Sequence, residues 1–241
     1  MMSKEDFVYL AKIAEQAERY DEMVKYTNEA AKQCTGELDL DDRNLLSVAY
    51  KNVVGNRRAA WRVLNSIHAK EMKKGDPSSR NVQNVYDYKK KIEAELDDLC
   101  KSILALLEDN LIPKSKSAEA QVFFLKMKGD YHRYIAEYAS PSNQADLAEE
   151  ANQAYKRATD VATNDLEATH PIRLGLALNY SVFYYEIKQN PEKACEMAKK
   201  AFDDAIADLD NVQEAYYKDS TLIMQLLRDN LTLWTSHVQE A

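Results

Sequence analysis

Glycine and proline are scarce in this sequence, with five of each among 241 residues. Sandwiches, barrels and dinucleotide-binding sheets need frequent turns, and turns are built largely from these two residues. No apolar run approaches the roughly 20 residues of a membrane-spanning helix, and the opening residues MMSKED lack the apolar stretch of a signal peptide. We therefore expect an all-α protein in the cytoplasm, with the nucleus as a second compartment.

The sequence is also poor in cysteine and lacks a net basic charge. The three cysteines, Cys34, Cys100 and Cys195, are odd in number and far apart, which is typical of buried thiols in a reducing compartment. The chain has 32 basic and 40 acidic residues, a net charge of −8. Affinity for a nucleic acid backbone comes from a net basic surface. Neither a nucleic acid nor a membrane is therefore an expected partner.

What the sequence does contain is apolar residues at every third or fourth position, the period of an α-helix. This pattern predicts helices over about 3–17, 20–34, 41–73, 81–110, 117–138, 142–164, 172–188, 192–208 and 214–236. Ser3, Ser140 and Asn190 are predicted N-caps, the last two because a proline follows each of them. Residues 73–79 are a predicted polar loop. The expected fold is an elongated array of about nine helices in one domain over 1–241.

Motifs for catalysis are few. The sequence has no P-loop, no glycine-rich dinucleotide fingerprint and no His-Glu-x-x-His. Glu167 and His170 have the spacing of a di-iron ligand pair, but the second pair that such a site needs is missing, and a histidine at a helix junction is the alternative. We expect no enzymatic activity, no metal and no cofactor.

Three basic residues line up along the predicted helix 41–73. Lys51, Arg58 and Arg62 follow one another at i, i+7 and i+11, which places both arginines within ~20° of the Lys51 direction. A solvated basic face is the alternative interpretation. Against it, no acidic residue occurs between Arg43 and Ala69 in a chain that is otherwise acidic.

A second charged cluster lies in the predicted helix 117–138. Asp130 precedes Arg133 by three residues and Tyr134 by four, so its carboxylate can orient the guanidinium or accept from the phenol. Lys126 lies seven residues before Arg133, on the same face. An arginine held in this way keeps donors for an oxyanion. The alternative is an exposed ion pair that contributes well under ~1 kcal/mol.

Two further predicted helices are apolar and are each interrupted by an asparagine. On helix 172–188 one face carries Gly175, Asn179, Val182 and Glu186, and on helix 214–236 one face carries Ile223, Leu226, Asn230 and Leu233 with Trp234. Asparagine suits an extended peptide backbone and glycine allows close approach, while core packing is the alternative for both. Basic and apolar stripes together favour binding of an extended phosphorylated peptide. A helical scaffold for unmodified partner helices is the alternative function.

Four segments of this sequence resemble the 14-3-3 proteins: RNLLSVAYKNVVGNRR at 43–58, KGDYHRY at 128–134, HPIRLGLALN at 170–179 and KDSTLIMQLLRDN at 218–230. The match runs in order over nearly the whole chain. The resemblance implies nine antiparallel helices and a cup-shaped homo- or heterodimer with one amphipathic groove per subunit. It also implies an adaptor that binds phosphoserine or phosphothreonine in Arg-Ser-x-pSer/pThr-x-Pro-like client segments, and so clamps, masks or relocates clients in signalling.

The resemblance also assigns roles to individual residues. It places the phosphate at Lys51, Arg58, Arg133 and Tyr134. It assigns contacts with the peptide main chain to Asn179 and Asn230, with Glu186 and Trp234 beside them. The apolar wall of the groove consists of Leu178, Val182, Leu222, Ile223 and Leu226. Gly175 and Lys126 are expected in the same groove, which lies within about 41–236. Dimer contacts fall within about 1–35 and parts of 60–95: Ile13, Ala17, Leu64, Ile67 and Tyr88 across the two-fold axis, with ion pairs of Arg19 with Glu95 and of Glu22 with Lys91.

Two positions depart from the family pattern. Ala60 stands where many members carry a serine that can be phosphorylated at the dimer interface, so the hydroxyl that such control requires is missing. His132 replaces the more usual tyrosine beside Arg133.

Overall fold

The computed structural model describes residues 2–240, and the side chains of residues 2–236. Nine long helices lie in that range: α1 Lys4–Gln16, α2 Tyr20–Gln33, α3 Leu40–Met72, α4 Arg80–Leu106, α5 Ala118–Ala136, α6 Pro141–Asp165, α7 Pro171–Glu186, α8 Pro191–Ala207 and α9 Glu214–Glu240. Helix α4 continues through a π-helical turn, Leu107–Leu111, and a short turn, Ile112–Lys114, and a 3₁₀ turn, Leu209–Asn211, precedes α9. These described residues include no strand. The predicted all-α fold is confirmed.

The helices form two compact units. The first contains α1–α4 and extends to Lys114, and the second contains α5–α9 and begins at Ser115. In the first unit α1 packs on α2, and α3 packs on both α2 and α4; in the second α5 packs on α6, and α7, α8 and α9 pack on one another. Within each unit, short connections make helices that follow one another in sequence antiparallel neighbours in space. None of the helices, over the range described, is long and apolar enough to cross a bilayer.

Short-range capping explains where several helices begin. Ser3 and Asp6 form a reciprocal capping box at α1. The Asn190 side chain accepts from the Lys193 N–H at 2.9 Å and caps α8. Ser140 stands at the predicted N-cap of α6, but its hydroxyl bonds the Ser142 hydroxyl at 2.9 Å instead of a backbone N–H. The helix boundaries are therefore largely a local property of the sequence.

The core of the second unit includes a cluster in which α7, α8 and α9 meet. Its buried members are Leu174, Ala194, Ala198, Ala205, Met224, Leu227 and Trp234. The Trp234 indole is only 3% exposed and stacks on the Tyr185 ring, with 4.8 Å between ring centroids. The Trp234 side chain is therefore almost fully covered by core residues, and its place beside a bound peptide stays a prediction.

Helices α5 and α6 are in close contact at Gly129. A Cβ built at Gly129 would lie 2.7 Å from the Cδ1 and Cε1 atoms of Tyr155, a fully buried ring on α6. The ring packs where a side chain on α5 would otherwise be. Glycine at this position therefore determines how near the two helices come.

Replacing this glycine tests the close approach. We expect Gly129→Ala to lower the free energy of unfolding by about 1–3 kcal/mol through overpacking, even though alanine favours a helix by about 1 kcal/mol over glycine. Urea denaturation measures the difference. The matched control is Gly55→Ala on α3, where a Cβ would meet nothing within 4 Å and the helix should gain stability. If both variants gain stability, the close packing at Gly129 does not matter energetically.

Candidate functional site

A buried polar site in the second unit is built around Arg133 on α5. Its Nε donates to the Tyr155 hydroxyl at 3.1 Å, and its Nη2 donates to Asp130 Oδ1 at 3.2 Å. The guanidinium carbon lies 4.7 Å from the centre of the Tyr134 ring, which adds a cation–π contact. Arg133 and Asp130 are each only 5% exposed. The alternative of a solvent-exposed ion pair at this position is therefore wrong.

Asp130 is the acceptor that joins three helices at this site. Its Oδ1 accepts from the Tyr155 hydroxyl of α6 at 2.5 Å, and its Oδ2 accepts from Lys126 Nζ of α5 at 2.8 Å. The Asn179 amide of α7 donates to both carboxylate oxygens, at 2.9 and 3.0 Å. A buried carboxylate is tolerated only when it is bonded and paired in this way.

The opposite charges at the site stabilise one another in their ionised forms. Burial alone would raise the pKa of Asp130, but the positive charges of Lys126 and Arg133 outweigh burial and lower the pKa. Burial likewise opposes the charge of Arg133, yet the oxygens of Tyr155, Tyr134 and Asp130 outweigh it and raise the pKa well above the usual value. Aspartate and arginine therefore both remain ionised at neutral pH.

The guanidinium still has donors available. A guanidinium carries five N–H groups, and Nε and Nη2 of Arg133 are directed to Tyr155 and Asp130. Nη1 lies 3.9 Å from Glu186 Oε2 on α7, which is beyond hydrogen-bond distance. An arginine that is fixed on one edge and open on another can form charge-assisted hydrogen bonds to an oxyanion.

The two asparagines singled out by the sequence differ in their surroundings. The Asn179 amide nitrogen is engaged by Asp130, so its carbonyl oxygen is the atom left to accept from a ligand N–H. Asn230 on α9 is half-buried, and its side chain forms no hydrogen bond with the part of the chain that the structure describes. The alternative of an asparagine satisfied by the core fits Asn179 in part and does not fit Asn230.

Apolar side chains on α7 and α9 lie partly open. On α9, Leu222 and Leu226 are 60% and 43% exposed, and Ile223 packs half-buried against the core cluster, as Leu178 and Val182 do on α7. Gly175 on α7 meets no crowded neighbour, because the nearest atom to a built Cβ is Lys126 Cε at 3.9 Å. Close helix packing, the alternative reason for that glycine, is not required by the structure.

The predicted basic stripe lies on α3 in the first unit. Lys51 is exposed, and its ammonium forms no ion pair with the residues described. Arg58 is half-buried and Arg62 is exposed on the same helix. The neighbouring Arg57 has a different role, since it donates to Glu95 at 2.8 Å and to Asp21 at 2.9 Å within the first unit.

The residues assigned to the dimer contact also lie in the first unit. Ile13, Ala17, Ile67 and Tyr88 are exposed and Leu64 is half-exposed. The ionic side chains have partners inside the subunit, because Arg19 donates to Glu22 and Glu95 accepts from Arg57. Lys91 is exposed on α4. The predicted pairs between subunits would therefore have to exchange or share these internal partners.

Sequence reasoning missed Tyr155, which bonds both members of the Asp130–Arg133 pair. It lies on a different helix, 22 and 25 residues away from them. The spacing of residues along α5 does not predict a contact with Tyr155. The one local signal is Gly129, whose missing side chain leaves room for the Tyr155 ring. His170, in contrast, caps α7 through its Nδ1, which accepts from the Ile172 N–H at 3.2 Å, as expected of a histidine at a helix junction.

An oriented, buried arginine beside available amide groups and a partly exposed apolar wall suits the binding of an anionic peptide segment. The model of the 14-3-3 protein family matches residues 10–235. This chain belongs to the 14-3-3 family. Its members are non-enzymatic adaptors that bind phosphorylated client proteins in signalling, and this protein is an adaptor of that kind.

Similar proteins occur in land plants and a green alga. The chain is 57% identical over 239 residues to the 14-3-3-like protein GF14 chi of Arabidopsis thaliana, covering 99% of this chain and 89% of that protein. It is 58% identical over 240 residues to the 14-3-3-like protein GF14-C of Oryza sativa subsp. japonica, covering 99% and 93%. A 14-3-3-like protein of Chlamydomonas reinhardtii is also 58% identical over 240 residues, covering 99% and 92%.

Proposed function

We propose that Lys51, Arg58, Arg133 and Tyr134 bind the phosphate of a phosphoserine or phosphothreonine in the client. The observation that carries this proposal is Arg133, which is buried, oriented by Asp130 and still has donors available. A phosphate carries ~1.5–2 negative charges at neutral pH, and each charge-assisted hydrogen bond contributes a net ~1.5–3 kcal/mol. Ordering and desolvation offset much of this sum, so a single site should bind at about micromolar Kd or somewhat tighter.

The groups around Arg133 suit an extended client segment of the Arg-Ser-x-pSer/pThr-x-Pro type. Asn179 can accept from a client backbone N–H through its free carbonyl oxygen, and the Asn230 amide is available for a second main-chain bond. The Glu186 carboxylate is 43% exposed and can accept from a client arginine. We infer that this binding takes place in the cytoplasm and in the nucleus.

The direct test compares one fluorescein-labelled peptide of this type with and without its phosphate, by fluorescence polarisation. We expect at least ~100-fold tighter binding of the phosphorylated form, since a basic site has little to hold without the phosphate. Equal binding of the two forms would exclude the proposal and would favour the second candidate, a scaffold for unmodified helices. The exposed apolar side chains of α9 keep that candidate open.

The apolar wall is tested separately. We expect Leu226→Asp to weaken phosphopeptide binding about 10-fold, because a contact worth ~1.4 kcal/mol corresponds to one decade in Kd. The side chain is 43% exposed, so folding should be unaffected. The matched control is Ile206→Asp, an equally apolar, 50% exposed position on α8. If the two variants bind equally well, Leu226 does not contact the peptide.

We infer that two copies of this chain, or this chain and a related one, associate through the first unit. This proposal is supported by large apolar side chains that α1, α3 and α4 expose to solvent, since exposed apolar patches are typical of protein interfaces. These side chains are Tyr9, Ile13, Val63, Ile67, Tyr86 and Tyr88. Ala17 and Leu64 belong to the same proposed contact. A two-fold interface buries the same patch on both subunits and suits flanking charges of opposite sign.

Reversing the charges at this contact should dissociate the dimer. We expect Arg19→Glu with Lys91→Glu to shift the mass in light scattering toward a single subunit, because each change places like charges opposite one another. The control, Lys32→Glu with Lys101→Glu, makes the same change in net charge on α2 and α4 at exposed positions outside the proposed contact. A mass equal to that of the control would show that the contact lies elsewhere.

A further inference from the structure

Tyr155 is the buried residue that contacts both charged partners at the Arg133 site. Its side chain has no exposed surface, so it cannot touch a client. Its hydroxyl donates to Asp130 Oδ1 at 2.5 Å and accepts from Arg133 Nε at 3.1 Å. We propose that Tyr155 is a positioning residue for phosphate binding, acting through Arg133. This inference rests on the proposed function.

Asp130 alone does not set the plane of the guanidinium. It accepts from Nη2 of Arg133, and a group attached by one hydrogen bond can still turn about that bond. The Tyr155 hydroxyl supplies the second point, at Nε. With Nε and Nη2 both held, the plane of the group is defined, and Nη1 is directed toward the open side near Glu186. A carboxylate and a phenol together thus replace the bidentate carboxylate that usually orients an arginine.

The phenol can do this because its own ring is immobilised. One face packs against the backbone of Gly129, where even a Cβ would come within 2.7 Å. The ring also stacks on Tyr180, with centroids 5.1 Å apart and planes at 24°, and packs on Phe183 at 5.7 Å. Burial raises the pKa of Tyr155 well above its usual value, so the hydroxyl keeps the proton that it donates to Asp130. Orientation fixed before binding saves the cost of ordering the arginine later.

The test uses the 241-residue protein with Tyr155→Phe, which keeps the ring and removes only the hydroxyl. We expect the Kd for the phosphorylated peptide, measured by isothermal titration calorimetry, to rise 10-fold or more. The matched control is Tyr180→Phe in the same ring stack. That hydroxyl donates to Asn152 at 2.8 Å and forms no hydrogen bond with Arg133, whose bonds go to Tyr155 and Asp130, so its loss should change the Kd less than 2-fold.

A spectroscopic readout separates positioning from stability. The Arg133 Nε–H should give a resolved, slowly exchanging ¹H–¹⁵N signal in the wild type and in Tyr180→Phe, and the signal should be lost or strongly shifted in Tyr155→Phe. An unchanged Kd for Tyr155→Phe overturns the inference, and so does an equal loss of affinity in both variants. Failure of the proposed function itself is distinguishable, since the wild type would then not prefer the phosphorylated peptide, whatever the Nε–H signal shows.

Discussion

Lys51→Glu is expected to lower the affinity for a phosphorylated client peptide at least 100-fold and to leave the melting temperature within about 2 °C of the wild type. In the proposed site, the change removes one charge-assisted hydrogen bond of ~1.5–3 kcal/mol and places a carboxylate against a phosphate that carries up to ~2 negative charges. A loss of ~2.7 kcal/mol already corresponds to two decades in Kd. The fold should not respond, because Lys51 is exposed and unpaired among the residues described.

The control for this experiment lies on the same helix. Lys70→Glu makes the same change in charge 19 residues further along α3, ~28 Å away at 1.5 Å per residue, on another exposed side chain. Fluorescence polarisation at two salt concentrations compares the variants, since long-range effects of net charge fade with salt and a direct contact fades less. If Lys70→Glu weakens binding as much as Lys51→Glu does, only the net charge of the protein matters, and Lys51 does not contact the phosphate.

Asp130→Asn is expected to lower the free energy of unfolding by about 3–5 kcal/mol, the usual cost of removing one member of a buried ion pair. The carboxylate serves Lys126, Arg133, Tyr155 and Asn179 at once. An asparagine side chain keeps the shape of the carboxylate but cannot neutralise Lys126 and Arg133, and its NH₂ group would face the N–H donors of these residues. In a chain of this size such a loss lowers the melting temperature by about 6–20 °C, at 2–4 °C per kcal/mol. Phosphopeptide binding should be lost with the orientation of Arg133.

The loss of folding stability in Asp130→Asn should depend on pH in a definite direction. The pKa of Asp130 is lowered in the folded protein, so the folded state favours the ionised form more than the unfolded chain does. This contribution to stability is present above the unfolded pKa of ~3.9 and is lost as the pH falls through the lower folded pKa. The difference in stability between wild type and Asp130→Asn should therefore be full at pH 7 and should shrink below about pH 4.

Urea denaturation at a fixed protein concentration measures both quantities. The control is Asp203→Asn, which removes the carboxylate of an exposed i,i+4 pair with Lys199 on α8 and should cost at most about 0.5 kcal/mol at any pH. If Asp130→Asn is as mild as this control, or if its effect is the same at pH 7 and below pH 4, then the buried carboxylate is not what stabilises the site.

The predicted site and the observed site agree where the geometry is local. Asp130 and Arg133 were expected to pair because residues three apart on a helix are neighbours, and they do. The role of Asn179 was expected to be a bond to a peptide, yet its amide nitrogen is engaged by Asp130. Only the carbonyl end remains for a ligand, which a single-helix pattern cannot reveal. Trp234 shared a helix face with Leu226 in the pattern, but it is buried among core residues.

By itself, the amino-acid sequence determined the nine helices and their approximate ends in the part of the chain described, because helical period, caps and proline positions act within a few residues. It also determined which helices carry basic stripes and which carry apolar ones. Tertiary structure alone decided that the Asp130–Arg133 pair is buried, that a tyrosine from α6 and an amide from α7 complete it, and that Gly129 admits the tyrosine ring. These contacts join residues 22–49 positions apart, and such pairs form only when whole helices pack.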